Sequence, residues 1–390
     1  MKIVIIWHNA LRSIYRKYIE EIAKQKDVEA TLIVPEYWPF EPNNVSWRDY
    51  KKENFKKLEF EGEEIPELKV LKLKAKFAGK AIHYYPKLKN VLNKIKPDVV
   101  FVYEEPFVFT TIQVITWKSR YSKKTKVVVE DCENLERKFK RFYEPWLYSY
   151  TLRNADGMIA MSSDIEKLLR KKGYKGPVQL IGEPADPLSF KRKGGDEIRK
   201  KLGINKDEFV ICYCGRMHES KGLHIIVEAL GKLKKDFKLM VIYYGGEEYR
   251  QKVIKRAEEL GIIKNILFIG PVKGTELPKY YSACNLGVAA SLTMPYWKEQ
   301  FGRFTAEFIL CGVPIIGSSS STVNEVLGKD AIMYEERNPD ELKEKIELII
   351  NNPKVGKKMV GVGRKKVLEG FTNQKLAEKF VRFVSKLKIP

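Results

Sequence analysis

Short apolar runs with strand character alternate with amphipathic helical segments along almost the whole chain, and this alternation constrains its fold more than any other feature. Parallel strands must be joined by long crossovers, usually helices. The pattern therefore predicts an α/β protein whose mostly parallel sheets carry helices on both faces. In the first half strands are expected near Lys2–Trp7, Glu29–Val34, Leu68–Leu73, Asp98–Val102, Lys126–Glu130, Gly157–Ala160 and Val178–Ile181. A second block places them near Phe209–Cys214, Leu239–Tyr243, Ile266–Ile269, Leu286–Ala290, Pro314–Gly317 and Ala331–Tyr334. The charged, glycine-containing stretch Lys191-Arg-Lys-Gly-Gly-Asp196 reads as a linker. Two Rossmann-like domains facing across a cleft are expected, residues 1–188 and 189–370. The last helix carries Leu376, Phe380, Phe383, Val384 and Leu387 on one stripe, so residues 371–390 are expected to pack back on the first domain. The segment 35–66 is polar, aromatic and irregular, a long excursion of the kind that often carries function.

Composition narrows the class. The 390 residues hold 72 Lys and Arg against 50 Asp and Glu, a net charge of +22 that attracts anions. The excess is spread over both halves, so no basic tail accounts for it. Nucleic acid, an anionic membrane surface and phosphorylated small molecules are the partners this charge admits. No aromatic-basic recognition motif supports nucleic acid. Abundant Lys and Glu also suit a heat-adapted protein. Five cysteines, an odd number lying mostly in apolar segments, exclude a disulfide scaffold and suit a reducing, cytoplasmic setting. Cys212-x-Cys214 lacks the second ligand pair of a zinc site. No apolar run reaches the length of a membrane span, and the apolar start turns polar at His8-Asn9, too soon for a signal peptide.

Most nucleotide signatures are absent. There is no G-x-G-x-x-G, no Walker loop and no G-x-S-x-G elbow. No Asp-x-Asp metal clamp occurs, and the four histidines His8, His83, His218 and His224 form no H-x3-H pair, so no metal ligands are expected. Two clusters remain. Cys214-Gly-Arg-Met-His-Glu-Ser-Lys-Gly222 lies between a strand and a helix; Arg216, Lys221 and a helix start at Gly222 suit a diphosphate. Glu299-Gln-Phe-Gly-Arg-Phe-Thr-Ala-Glu307 sets two carboxylates with seven residues between them, the first on a loop and the second in a helix. Glu307 is suited to a ribose diol, and Glu299 to a sugar hydroxyl or a developing positive charge. Taken singly, each cluster also fits a solvated loop or helix.

Together they resemble the signature of the retaining group-1, or family-four, glycosyltransferases with two Rossmann-like domains, the GT-B architecture. The resemblance extends through Tyr244-Gly-Gly-Glu247, Phe268-Ile-Gly270, Tyr280 to Ser291, Cys311-Gly-Val-Pro314 and Asn324-Glu-Val326. In the first half Glu133-Asn134, Asn154-Ala-Asp-Gly157, Ser162, Asp186 and Phe190 are similar too. It implies a metal-independent hexosyltransferase using a UDP- or GDP-sugar and no resident cofactor. Arg216 and Lys221 would hold the diphosphate, assisted by the amides around Phe301, Gly302 and Arg303. Glu307 would bind the ribose, Glu299 the transferred sugar, and Glu247 the base or ribose. Catalysis would rest on Glu299, Arg216 and Lys221.

The chain departs from the pattern in its first half. The first loop is His8-Asn9-Ala10 where a glycine-rich loop is usual, and Glu130-Asp-Cys-Glu-Asn134 stands where many members have a histidine. Contacts to sugar or acceptor are open among His8, Asn9, Glu130, Asp131 and Asn134. The acceptor is expected to be a glycan or lipid-linked hydroxyl. Cations and aromatics interleave in Glu136-Arg-Lys-Phe-Lys-Arg-Phe-Tyr-Glu-Pro-Trp146, which suits peripheral docking on an anionic membrane, although Phe139, Phe142 and Trp146 also fit one core-facing stripe. The alternatives are a nucleotide-sugar epimerase on the same architecture and a sugar-nucleotide-binding protein without catalysis.

Overall fold

The computed structural model describes residues 1–40, 56–136, 139 and 141–387. Two compact units emerge, Met1–Gly182 with Asn373–Pro390, and Glu183–Thr372. The division after Gly182 lies a few residues before the boundary at 188 read from the sequence, so Asp186 and the linker belong to the second unit.

The first unit holds strands β1 (Lys2–Ile6), β2 (Glu29–Pro35), β3 (Trp38–Phe40), β4 (Lys56–Leu58), β5 (Leu68–Leu73), β6 (Val99–Val102), β7 (Lys126–Asp131), β8 (Gly157–Ala160) and β9 (Val178–Leu180). Seven form one sheet in the order β5-β2-β1-β6-β7-β8-β9, and every pair in it is parallel. Its central strands must be covered on both faces, which explains apolar runs such as Val99-Val-Phe-Val102, buried at every position. The chain winds outward through β2 and β5, then returns to β6 on the other side of β1. That reversal places a topological switch point at the carboxyl ends of β1 and β6, where open α/β sheets bind ligands. An antiparallel pair, β3 with β4, was not anticipated within the irregular segment 35–66, part of which, 41–55, lies outside the described residues.

The turn His8–Leu11 after β1 is anchored by Arg16, a buried guanidinium that donates to the carbonyls of Ala10 at 3.1 Å and Glu61 at 2.6 Å. The helix Asn373–Lys386 is part of this unit. Leu376, Phe380, Phe383, Val384 and Leu387 join Ile3, Ile5, Ile19 and Ile22 in one core. Phe380 meets Phe101 at 4.8 Å between ring centres. Gly157 leaves room for the helix: a Cβ there would lie 2.9 Å from the Phe383 ring.

The second unit repeats the plan with β10 (Val210–Arg216), β11 (Lys238–Tyr244), β12 (Ile266–Gly270), β13 (Leu286–Ala289), β14 (Ile315–Ser318) and β15 (Ile332–Tyr334). Their order, β12-β11-β10-β13-β14-β15, puts a second switch point between β10 and β13. The two motif clusters follow those two strands.

Candidate functional site

In the second unit β10 ends at Arg216, whose carbonyl accepts from the Tyr213 hydroxyl at 2.7 Å. The chain then makes one tight turn, Glu219–Lys221, capped by His218, whose Nδ1 accepts from the Ser220 amide at 3.2 Å. Burial and the charge of Arg216 depress the His218 pKa, which suits that accepting role. Gly222 follows with φ +67°, and a Cβ there would overlap the Ala290 carbonyl oxygen. The close approach is fixed by the Leu292 amide, which donates to the Ser220 carbonyl at 2.8 Å. The loops after β10 and β13 are therefore locked together through backbone.

That lock brings the two clusters into contact. Lys221 Nζ donates to Glu299 Oε2 at 2.5 Å and lies 4.5 Å from the centre of the Trp297 ring. Ser291 Oγ donates to the same carboxylate oxygen at 2.9 Å. Glu299 is 8 % exposed and Ser291 2 %. Arg216 Nε is buried and, among the described residues, makes no hydrogen bond. A buried N–H without a partner carries a desolvation penalty that an incoming anion would relieve. Trp297 escaped the sequence reading, because an isolated Trp on a loop has no spacing signature.

Glu307 has other neighbours. It rises from the helix Phe304–Leu310, and Tyr281 donates to its Oε2 at 3.4 Å. Burial pushes its pKa up to about 7, against the charge of Arg303 and with that of Glu183. Burial raises Glu183 as well. The expected cradle of amides is narrower than the sequence reading had it. The Gly302 amide is already donated to Thr322 Oγ1 at 2.7 Å, and the Phe301 ring is buried, 6.0 Å from Phe371. Arg303 sits at the mouth of that helix. Glu247 opens the helix Glu247–Glu259 and is exposed, bonded by Arg250 at 2.8 Å and Gln251 at 2.7 Å. Its turn abuts the Arg216 loop, since the Met217 amide donates to the Tyr244 carbonyl at 3.0 Å and a Cβ on Gly246 would overlap the Met217 carbonyl oxygen.

In the first unit the five candidate contacts separate. His8 and Asn9 lie in the turn after β1, Asn9 at the surface. Glu130 and Asp131 end β7 and are buried, at 4 % and 1 % exposure. Asp131 is engaged internally, accepting from the Tyr148 hydroxyl and from the Glu133 amide at 3.0 Å, and burial raises its pKa to about 6. Neither carboxylate faces solvent, and both stand at the carboxyl end of β7. Asn134 is partly buried just beyond. His8 is instead gathered with two residues the sequence had not connected to it, His83 and Glu104. Arg137, Lys138 and Lys140 of the basic-aromatic stretch lie outside the described residues. Of its aromatics, Phe139 packs against Phe107 and Tyr148, whereas Phe142 is 95 % exposed and Trp146 65 %, which overturns the reading of one core-facing stripe. Among the described residues no helix is long and apolar enough to cross a membrane.

Two parallel α/β units with basic and acidic clusters at a switch point define the GT-B class, and comparison with known proteins agrees. Residues 195–366 match the family model of glycosyl transferases group 1, and in this stretch the chain resembles the group-1 glycosyltransferases. It is 23% identical to an uncharacterized glycosyltransferase of Methanocaldococcus jannaschii, over 47% of this chain and 46% of that protein. It is 27% identical to D-inositol 3-phosphate glycosyltransferase 1 of Catenulispora acidiphila, over 53% of this chain and 51% of that one. The matches thus span about half the length of these curated relatives. A solved structure of Anabaena Alr3699/HepE in complex with UDP superposes with a TM-score of 0.74 at 16% identity, covering 99% of this chain and 100% of that one, a likeness of fold.

Proposed function

We propose that the chain transfers a sugar from a UDP- or GDP-linked donor to a hydroxyl of a glycan or lipid-linked acceptor, with retention of anomeric configuration. The observation that carries this reading is the Lys221–Glu299 pair at the second switch point, with Arg216 Nε, at the end of β10 five residues before Lys221, buried and, among the described residues, unbonded. A lysine resting on a carboxylate, with a buried guanidinium N–H on the strand that leads into its loop, is an arrangement an incoming diphosphate would complete. The UDP held in the HepE complex supports a nucleotide donor here.

In this reading Arg216 and Lys221 take the diphosphate, and Lys221 exchanges Glu299 for phosphate oxygen. Glu299, still oriented by Ser291, then accepts from a sugar hydroxyl or faces the positive charge growing at the anomeric carbon. Glu307 accepts from the ribose diol, and Glu247 lies on the side of the base. The bond from the anomeric carbon to phosphate oxygen breaks with its electron pair on the diphosphate. The acceptor oxygen attacks from the same face, and its proton passes to that phosphate oxygen. Fixed cations aimed at the growing charge need no reorganisation, and losing one such donor typically costs about 100- to 1,000-fold in turnover. No divalent ion is assigned to the diphosphate.

We also place the acceptor side at a membrane surface. Phe142, Tyr143 and Phe109 form a run of ring contacts at 5.6 Å and 6.1 Å beside a hollow of about 260 Å³ lined by Tyr84, Phe109, Ile112, Gln113 and Leu147. With Trp146 stacked on Tyr150 at 5.8 Å and Arg141 and Arg153 close by in sequence, the patch suits an interface of headgroups and acyl chains. Vesicles containing anionic lipid should sediment the protein at low salt, and a Phe142→Ala/Trp146→Ala variant should remain in the supernatant. Equal recovery with neutral and anionic vesicles would favour a soluble acceptor.

A panel of labelled nucleotide sugars, with and without candidate acceptors, tests the activity itself. Release of nucleoside diphosphate with label on the acceptor is expected. Isomerised sugar nucleotide without acceptor would instead identify an epimerase, and binding without turnover of any donor would identify a protein that has lost catalysis.

A further inference from the structure

The first switch point carries a separate cluster. β1 and β6 are paired in register, Ile6 opposite Val102, so His8 and Glu104 each lie two residues beyond a paired position and meet. His8 Nδ1 lies 2.5 Å from Glu104 Oε1, and the His8 amide donates to the same oxygen at 3.2 Å. From the loop after β5, His83 Nε2 approaches that oxygen to 3.9 Å. Trp38 closes the group, stacked on the His8 ring at 4.3 Å and edge-on to His83 at 4.8 Å.

His83 is the unusual member. Its Nδ1 lies 2.8 Å from the Lys80 carbonyl, which can only accept, so Nδ1 bears the proton and Nε2 of the neutral ring presents a lone pair. Yet Nε2 is buried and, among the described residues, has no hydrogen-bond partner, and it faces a carboxylate oxygen, with His83 2 % and Glu104 6 % exposed. Two acceptors turned toward each other in a buried site call for a cation between them. A backbone carbonyl that fixes the far nitrogen of an imidazole is also the usual support of a metal-ligating histidine. The Thr110 hydroxyl, donating to the His83 carbonyl at 2.9 Å, holds the loop in place.

We propose that His8, His83 and Glu104 form a binding site for one divalent transition-metal ion of the Zn²⁺ class. The three ligand atoms lie within 4.8 Å of one another. Tetrahedral bonds of about 2.1 Å set ligand atoms about 3.4 Å apart, so the 2.5 Å contact opens and the 3.9 Å contact closes by less than about 1 Å each. Two imidazoles and one carboxylate favour Zn²⁺, Co²⁺, Fe²⁺ or Ni²⁺ over Mg²⁺, which prefers an all-oxygen shell. Three protein ligands leave a further position for water or an anionic oxygen. His8, whose side chain is 21 % exposed against 3–4 % for the other two, is the side from which an ion enters. The site is built wholly within the first unit and does not depend on the proposed transfer reaction.

Chelator-stripped full-length protein should be titrated with Zn²⁺ by calorimetry and with Co²⁺ by absorption. One equivalent of Zn²⁺ should bind. Co²⁺ should give visible ligand-field bands without the near-ultraviolet thiolate band that a site at Cys212 or Cys214 would produce. His8→Ala and Glu104→Gln should each weaken binding by at least about 100-fold, beyond the usual effect of outer-shell changes. Circular dichroism of the stripped variants should match the parent; if Glu104→Gln does not fold, the partly exposed His8→Ala decides. Absence of stoichiometric binding at millimolar metal, a thiolate band, or unchanged affinity in folded His8→Ala would overturn the proposal.

Discussion

Glu307→Gln joins stability, pH and ligand binding in one variant. Burial lifts the Glu307 carboxyl from an ordinary 4.5 to about 7, so ionising it costs the folded chain about 3 kcal/mol relative to the unfolded one. Between those two values the folded state holds a proton that the unfolded state has released, so stability falls as pH rises through that window. The loss is absent below about pH 4.5 and complete above about pH 7. Gln removes the charge and keeps the shape. The variant should therefore melt above the parent at pH 8, by up to about 6–12 °C for a unit of this size, and the gain should vanish near pH 4. Nearby Tyr281 and Cys214 do not blur the profile, because burial raises both, Cys214 to about 12. Glu183 does take part; Glu183→Gln should lower the inflection, since its charge helps to raise Glu307. In the parent, affinity for bare UDP should increase from pH 6 to pH 8 as the carboxylate proposed to bind ribose ionises. At pH 8 Glu307→Gln should bind UDP about 10- to 100-fold more weakly, the loss of one charged hydrogen bond. Differential scanning fluorimetry and calorimetric titration across pH read both effects. A melting difference independent of pH would refute the buried carboxyl, and equal UDP affinity at pH 8 would refute its role at the ribose.

Arg216→Ala and Lys221→Ala should each weaken nucleoside-diphosphate binding and lower turnover; unchanged affinity and rate in both would remove the proposed phosphate site. Glu299→Gln should leave bare-nucleotide affinity near the parent value or raise it, by releasing Lys221, while transfer falls about 100-fold or more. EDTA should leave nucleotide binding unchanged, and a loss restored by Mg²⁺ would place an ion on the diphosphate. Gly222→Ala forces a Cβ into the Ala290 carbonyl at φ +67°, so thermal melting should drop and donor binding fail; wild-type melting would contradict that close approach. Phe380→Ala should destabilise the first unit by about 3–5 kcal/mol, read by urea unfolding, because it empties a fully buried site on the last helix.

Much of the fold was legible in the chain. Fully buried parallel strands need uninterrupted apolar runs, and those runs stand out against charged crossovers, so all thirteen main-sheet strands fall where periodicity puts them. The stripe on the last helix similarly announced a buried face. β3 and β4 were not legible, since each is three residues long and, among the described residues, pairs only with the other. Phe142 and Trp146 were misread because helical spacing marks residues on a common face without saying whether core or solvent covers it.

The functional clusters divide along the same line. Arg216 with Lys221, and Glu299 with Glu307, are short-range patterns, so their presence after a strand and before a helix is a property of the sequence alone. That Lys221 lies on Glu299, rather than merely in a similar loop, depends on β13 returning to the side of β10 opposite β11 and on backbone contact between Gly222 and Ala290. The raised pKa of Glu307 depends on which groups exclude water around it. His8, His83 and Glu104 are the extreme case. Their separations in sequence match no ligand spacing, and only the in-register pairing of β1 with β6 brings the first and last together. Periodicity and turn chemistry act between near neighbours and can be read along the chain. Burial, ion pairing and ligand convergence act through space, and are set only once parallel strands have chosen their order.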